Sequence, residues 1–240
     1  MMNTPDTLAT PLGELARSIP GATQVFHEYR LDFCCGGKHS LREAALKRGI
    51  DAQAIADRLA TLRAMARPDE QDWRLASTDA LIDHLLQRYH AVHRQQLPEL
   101  IRLAARVEQV HGDRPECPRG LAALLVQMAE DLESHMVREE EILFPLLRQA
   151  GTRAALGPIA VMRDEHDAHG ESLQHLEALT NDITLPRGAC NTWRALYLGL
   201  ATLRDDLMQH IHLENNILFD GLTHTQPQAN QANPLEAAHG

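Results

Sequence analysis

The chain has 240 residues, a formal net charge of −10, 44% hydrophobic residues and only 4% aromatic ones. The apolar share supports a packed core and excludes wholesale disorder. The scattered basic residues offer no patch for nucleic acid. No run approaches the roughly 18 apolar residues that mark a membrane span.

Met1-Met2-Asn3-Thr4-Pro5-Asp6 lacks the basic-then-apolar layout of a signal peptide, so the expected location is the cytoplasm. Leu and Ala dominate the apolar set, which favours helix over strand. Residues 1–10 read as a loose tail. Leu12, Leu15, Ala16 and Ile19 then recur at helical spacing and stop at Pro20-Gly21. Val25, Phe26 and Tyr29 form a second short apolar face, ended by Cys34-Cys35-Gly36-Gly37. Ser40-Leu41-Arg42-Glu43 has the capping-box pattern, and Gly49 is placed to stop that helix. A further helix is expected over 51–66. These pieces make a small helical domain over 1–66, too small for assured independent stability.

Four cysteines do not make a disulfide framework. Adjacent Cα atoms stand about 3.8 Å apart, short of the roughly 4.4–6.8 Å of an ordinary disulfide, so Cys34 and Cys35 read as free thiols. A polar linker is expected over 67–77 and a disordered tail over 223–240, which is rich in Gln, Asn and Pro.

Between them lies an internal repeat. Leu121, Leu125, Met128, Leu132, His135, Glu139 and Ile142 recur 75 residues later as Leu196, Leu200, Leu203, Leu207, His210, Glu214 and Ile217. Leu86, His90, His93, Leu97 and Leu100 recur 76 residues later as Met162, His166, His169, Leu173 and Leu176. Steps of three and four mark one face of a helix. Four helices over about 78–110, 119–150, 157–181 and 189–222 give an all-α, antiparallel four-helix bundle with pseudo-twofold symmetry, spanning 78–222. Pro98 and Pro145 are expected to kink or end their helices.

Those stripes carry the chemistry. His135 and Glu139 sit one turn apart on an otherwise apolar face, as do His210 and Glu214, while His90 and His166 occupy equivalent faces. Two buried carboxylates among four imidazoles, with no Arg or Lys on the stripes, call for a cation. The natural assembly is two metal ions, each taking two imidazoles, with Glu139 and Glu214 bridging. Nitrogen and carboxylate donors without thiolate suit iron or manganese better than structural zinc. His93 and His169 read as support or filler beside the ligands, and Asp131 and Glu165 as carboxylates that could orient an imidazole. His84, His111, His175, His212 and His224 lack matched partners and read as surface histidines. Cys117 and Cys190 fall in equivalent loops without an evident role.

With these residues in view, the chain resembles the iron–sulfur cluster repair di-iron proteins, the hemerythrin-like family induced by nitrosative and oxidative stress in bacteria. The likeness rests on Pro11-Leu12-Gly13-Glu14-Leu15-Ala16 and Tyr29-Arg30-Leu31-Asp32-Phe33-Cys34-Cys35-Gly36-Gly37. In the bundle it rests on Arg88-Tyr89-His90, Ser134-His135-Met136, Glu140-Glu141-Ile142-Leu143-Phe144-Pro145, Glu165-His166-Asp167 and His210-Ile211-His212-Leu213-Glu214-Asn215. The Cys-Cys-Gly-Gly block separates that family from simple hemerythrin domains.

The resemblance implies a hemerythrin-like bundle whose two non-haem irons are ligated by His90, His135, Glu139, His166, His210 and Glu214. It also implies donation of iron to iron–sulfur proteins damaged by nitric oxide or peroxide, and a homodimer. Cys34 and Cys35 are then candidate thiols for accepting iron or docking on a damaged cluster. The rival from another class is a scavenger or sensor that binds nitric oxide or oxygen at the same irons. A nitric oxide reductase and a ferritin-like oxidase are further readings, the last weakened by the His-rich ligand set.

Overall fold

The computed structural model describes residues 6–19, 21–65, 72–149 and 152–220. The expected tail over 223–240, His224 and the 67–71 part of the linker lie outside the described residues. Four short helices come first: α1 (Leu12–Ser18), α2 (Ala22–Glu28), α3 (Leu41–Arg48) and α4 (Ala52–Met65). Four long ones follow: α5 (78–111), α6 (121–149), α7 (Thr152–Leu179) and α8 (191–218). No strand occurs among the described residues.

Local chemistry sets the ends of these helices. Ser40 and Glu43 form the expected capping box, and Gly49 closes α3 with a left-handed φ of 68°. Such a cap stabilises a helix by about 1 kcal/mol. Ser77 caps α5 by accepting from the Ala80 amide. Helix α7 begins five residues earlier than the expected 157, running through Gly157 and Pro158.

Neither proline ends its helix. Pro98 lies on the exposed face of α5, where the carbonyl that loses its partner meets water. Pro145 follows directly on a π-helical turn at Glu139–Leu143, and α6 resumes there as regular helix.

Each long helix packs on the next, and α8 closes the ring against α5. Leu121, Leu125, Met128 and Leu132 of α6 and Leu196, Leu200, Leu203 and Leu207 of α8 are all buried, as the stripes require. Full burial of each leucine contributes about 1.5–3 kcal/mol. Some stripe positions near the layer depart from expectation: Ile142 is 51% exposed, and Leu86 and Ile217 are half-buried. The π-turn adds a residue to the turn, which rotates Ile142 outward and brings Leu143 into the core.

The apolar core divides in two. The larger cluster joins Leu12, Phe26, Leu41 and Leu59 of the N-terminal helices to Leu125, Leu200 and Leu207 of the bundle. The smaller gathers Leu81, Leu85, Phe144, Ile159, Leu213 and Phe219 at the other end. No helix is long and apolar enough to cross a membrane among the described residues.

Residues 6–10 are not a loose tail. The Leu41 and Arg42 amides donate to the Thr10 and Leu8 carbonyls at 3.1 and 3.0 Å, and Leu8 packs on the core. The N-terminal helices are fastened to α8 through the Cys-Cys-Gly-Gly turn. Asn215 Nδ2 donates to the Cys34 carbonyl at 3.3 Å, Asn216 Nδ2 to the Phe33 carbonyl at 3.3 Å, and the Phe33 ring meets His212 edge-on at 5.7 Å. Gly37 sits inside this junction, where an added Cβ would lie 2.7 Å from the Phe33 carbonyl oxygen and 2.9 Å from Asn216 Oδ1. Gly37→Ala is therefore expected to lower stability by about 1–3 kcal/mol, read as a lower midpoint in urea unfolding. An unchanged midpoint would show that the junction has slack.

Candidate metal centre

Helical spacing delivers six side chains to one level of the bundle. Helix α6 contributes His135 and Glu139, α8 contributes His210 and Glu214, α5 contributes His90 and α7 contributes His166. None of the six is more than 1% exposed. They form two groups of four, His90 with His210 and His135 with His166, and both groups share Glu139 and Glu214.

Within each group the ring nitrogens face one another. His90 Nε2 lies 3.2 Å from His210 Nε2, and His135 Nε2 lies 3.1 Å from His166 Nε2. Glu139 Oε2 stands 3.4 Å from both His90 Nε2 and His135 Nε2. Glu214 divides its oxygens, Oε1 lying 3.2 Å from His210 Nε2 and Oε2 lying 3.1 Å from His166 Nε2. Neither Glu139 oxygen has a hydrogen-bond partner, nor has Glu214 Oε2. Unpartnered buried carboxylate oxygens are costly unless a cation lies between them. Two imidazole nitrogens on one ion, each about 2.1 Å from it, stand about 3.0–3.4 Å apart for angles between a right angle and a tetrahedral one. Both observed pairs fall in that span, so the donor set fits two metal ions.

The outward ring nitrogens show how the imidazoles are aimed. His90 Nδ1 lies 2.8 Å from Glu140 Oε1, which Arg94 also holds at 2.8 Å. His135 Nδ1 lies 2.7 Å from Glu165 Oε2, whose other oxygen takes Arg138 at 2.7 Å. His166 Nδ1 lies 3.0 Å from Asn215 Oδ1. An N–H given outward leaves the Nε2 lone pair facing inward, the tautomer a metal requires. His210 Nδ1 has no such partner; the Tyr89 ring stacks on His210 instead, 5.3 Å away and within 6° of parallel.

Of the two carboxylates expected to orient an imidazole, Glu165 does so and Asp131 does not. Asp131 is exposed and accepts from Gln127 at 2.9 Å. Glu140 and Asn215 were not singled out in the sequence. Each directly follows one of the two buried glutamates, but their reach depends on π-turns that periodicity does not reveal. His93 and His169 are buried beside the layer, their rings 5.4 Å from His210 and 5.0 Å from His135, and outside both four-donor groups.

His212 is not a surface residue: it is 1% exposed, packed on Phe33 and bonded to Asn216 at 3.0 Å. His84 stacks on Trp73 and His111 Nε2 lies 3.1 Å from Cys190 Sγ, so both are only half exposed, while His175 is exposed. Cys117 is buried, and Cys190 precedes α8 at its N-terminal cap. Cys34 and Cys35 lie against α7, where the Cys35 thiol donates to the carbonyl of His166 at 3.2 Å.

Charge accounts for the titration of the metal-free layer. Burial opposes protonation of His90 and His135, yet Glu139 and Glu214 outweigh it, raising His90 and bringing His135 to about 9. Burial alone would raise Glu214, but His210 and His166 hold it well below the usual carboxylate range. Burial lowers His93 to about 2, His169 to about 3 and His212 to about 4.

These shifts have opposite signs in stability. The raised pair stabilises the metal-free fold fully below their unfolded value of about 6.5, and that contribution is lost as pH rises through about 9. The lowered trio binds protons in the unfolded chain first, so stability falls as pH drops below about 6.5. Chelator-stripped protein should therefore melt highest near pH 6.5 and lower at both pH 5 and pH 9. Metal-loaded protein should lose nothing between 6.5 and 9, because bound ions exclude the Nε2 protons. Equal melting of stripped protein at 6.5 and 9 would show that the layer is not protonated when metal-free.

Known proteins resemble this chain in sequence. Residues 81–222 match the hemerythrin HHE cation binding domain, and residues 8–63 match a domain of unknown function, DUF542. A protein of Musicola paradisiaca (strain Ech703) is 52% identical over 208 residues, covering 87% of this chain and 93% of its own. Proteins of Escherichia coli O157:H7 and Citrobacter koseri are 51% and 50% identical over 209 residues, covering 87% of this chain and 94% of theirs. All three bear the name iron–sulfur cluster repair protein YtfE. The chain thus belongs to the hemerythrin HHE cation-binding family and, within it, to the group of iron–sulfur cluster repair proteins.

Proposed function

We propose that this chain restores iron–sulfur clusters damaged by nitrosative or oxidative stress, supplying iron held by His90, His135, Glu139, His166, His210 and Glu214. The observation that carries the reading is the pair of four-donor groups sharing two buried carboxylates, in a chain about half identical to proteins named for cluster repair. Two non-haem irons per chain are the cargo and the centre, and its clients are iron–sulfur proteins of the cytoplasm.

The chemistry of the donors suits release as well as retention. Imidazole and carboxylate hold ferrous iron less tightly than thiolates do, so iron can pass from this layer to a sulfur-rich client. The chain's own residues set the terms. Glu140, Glu165 and Asn215 keep three imidazoles aimed inward, and the two apolar clusters keep bulk water from the layer. Arg94 and Arg138 tie the orienting carboxylates at the bundle surface. Cys34 and Cys35 are the thiols placed to take iron or meet a client, on the turn bonded to His166. Reversible binding of nitric oxide or oxygen would use the same metal layer but gives the thiol turn no task.

The test is reactivation of a nitric-oxide-damaged [4Fe–4S] dehydratase by the purified, iron-loaded protein, beside iron analysis and the His135→Leu variant. Wild type should carry two irons per chain and restore activity. The variant should lose at least one iron and most of the recovery. Recovery no greater with wild type than with the variant would overturn the repair reading.

A further inference from the structure

Three side chains outside the buried layer form a second donor cluster. Asp32, Cys34 and Cys35 place a carboxylate oxygen and two sulfurs within 4.8 Å of one another. Cys34 Sγ lies 3.8 Å from Cys35 Sγ and 3.3 Å from Asp32 Oδ1. In a tetrahedral site, thiolates about 2.3 Å from an ion stand about 3.8 Å apart, and a thiolate and a carboxylate oxygen stand about 3.6 Å apart. The two sulfurs already stand at that spacing, and the Asp32 oxygen lies somewhat closer to Cys34 than it would around an ion.

The turn is built to hold that spacing. Asp32 Oδ1 accepts from the Cys35 amide at 3.0 Å, which folds the carboxylate back over the thiols. An added Cβ on Gly36 would lie 2.9 Å from the Asp32 carbonyl oxygen and 3.1 Å from its Oδ2, so only glycine lets the chain close this tightly. Asn215 pins the Cys34 carbonyl, and the Cys35 thiol reaches the His166 carbonyl. Cys34 and Cys35 border a pocket of about 300 Å³ whose lining mixes Arg17, Lys38 and Arg163 with Glu14, Asp167 and Asp220.

We propose that Asp32, Cys34 and Cys35 form a second, mononuclear site for a thiophilic divalent cation, with its fourth position open to the pocket. Binding breaks two S–H bonds, forms two metal–sulfur bonds and releases two protons to solvent, with no change in oxidation state. The Cys35 proton is the one given to the His166 carbonyl, so filling this site removes a hydrogen bond from the backbone of a residue in the buried layer. The site deepens the repair reading, which it needs only to name ferrous iron as its natural ion. It supplies a halfway station: softer than the imidazole layer, three-coordinate and accessible to a client's thiolates.

The test uses Co²⁺ as probe on full-length protein prepared with two irons per chain, under reducing, anaerobic conditions. Equilibrium dialysis counts the cobalt bound, and X-ray absorption at the cobalt edge counts the sulfurs around it. Wild type should take up one cobalt per chain with two sulfur neighbours. Cys35→Ser should lose a sulfur and weaken binding at least tenfold. Asp32→Asn should weaken binding several-fold and keep both sulfurs. The Cys117→Ser/Cys190→Ser double variant should bind as wild type. Because Cys34 is buried, the half-exposed Cys35 and exposed Asp32 carry the test, with helix content and iron content confirming an intact fold. Wild type without sulfur-bound cobalt, or Cys35→Ser with undiminished binding, would overturn the proposal. Cobalt bound here by a protein that repairs nothing would keep the site and reject the repair reading; repair without such binding would do the reverse.

Discussion

Everything in the bundle answers to one electrostatic constraint: two carboxylates with no exposed surface, between two apolar clusters, surrounded by four imidazoles. Carboxylates cannot be left there uncompensated, since burial of an unpaired charge costs several kcal/mol. The protein meets the constraint from both sides. Inward, the four Nε2 atoms converge on the carboxylate oxygens at 3.1–3.4 Å. Outward, Glu140 and Glu165 take the Nδ1 atoms of His90 and His135 and are themselves held by Arg94 and Arg138. The polar layer is therefore anchored to the bundle surface at its rim, while its centre holds donors that could take cations.

The backbone bends to that layer. Three of the four long helices carry a π-turn, and each turn contains a donor residue: His90 ends Leu85–His90, Glu139 begins Glu139–Leu143 and Glu214 begins Glu214–Leu218. A wider turn inserts one residue into the register. The donor keeps its place on the inner face while the residues after it are rotated. Leu143 and Leu218 then fill the core behind the layer, and Ile142 and Ile217 move outward. Helix α7, which carries His166, has no such turn.

This explains which parts of the protein were legible from the sequence. The four long helices, the leucine stripes and the six convergent donors follow from steps of three and four repeated at a fixed offset, because regular helix preserves periodicity. The capping box at Ser40 and Glu43 and the glycine stop at Gly49 were legible because a cap is chemistry within four residues. Ile142, Glu140 and Asn215 were not, since all three lie within or beside π-turns that break the period. Asp131 was misjudged for a related reason: sharing a helix with His135 does not put a carboxylate at its ring nitrogen, and Glu165 reaches His135 from the neighbouring helix. His212 was misread because its burial comes from Phe33, far away in sequence, and no pattern within α8 announces that contact.

The internal repeat also shows where the two halves have diverged and why. At the offset of 75, Asn215 stands where Glu140 stands in the other half. Both face the outer nitrogen of a buried histidine, Glu140 at His90 and Asn215 at His166. A carboxylate only accepts, whereas an amide accepts through Oδ1 and donates through Nδ2. Asn215 uses both, taking the His166 nitrogen on one side and giving to the Cys34 carbonyl on the other. The half that carries the N-terminal helices thus needs an amide at this position, and the half that faces solvent can use a glutamate tied to Arg94. At the offset of 76, Tyr89 stands where Glu165 stands. There the ring stacks on His210 in place of a carboxylate bonding to Nδ1, so His210 alone among the four imidazoles is aimed by packing. The symmetry is kept where the inner donors must match and given up at the rim, where one half must hold a thiol-bearing turn.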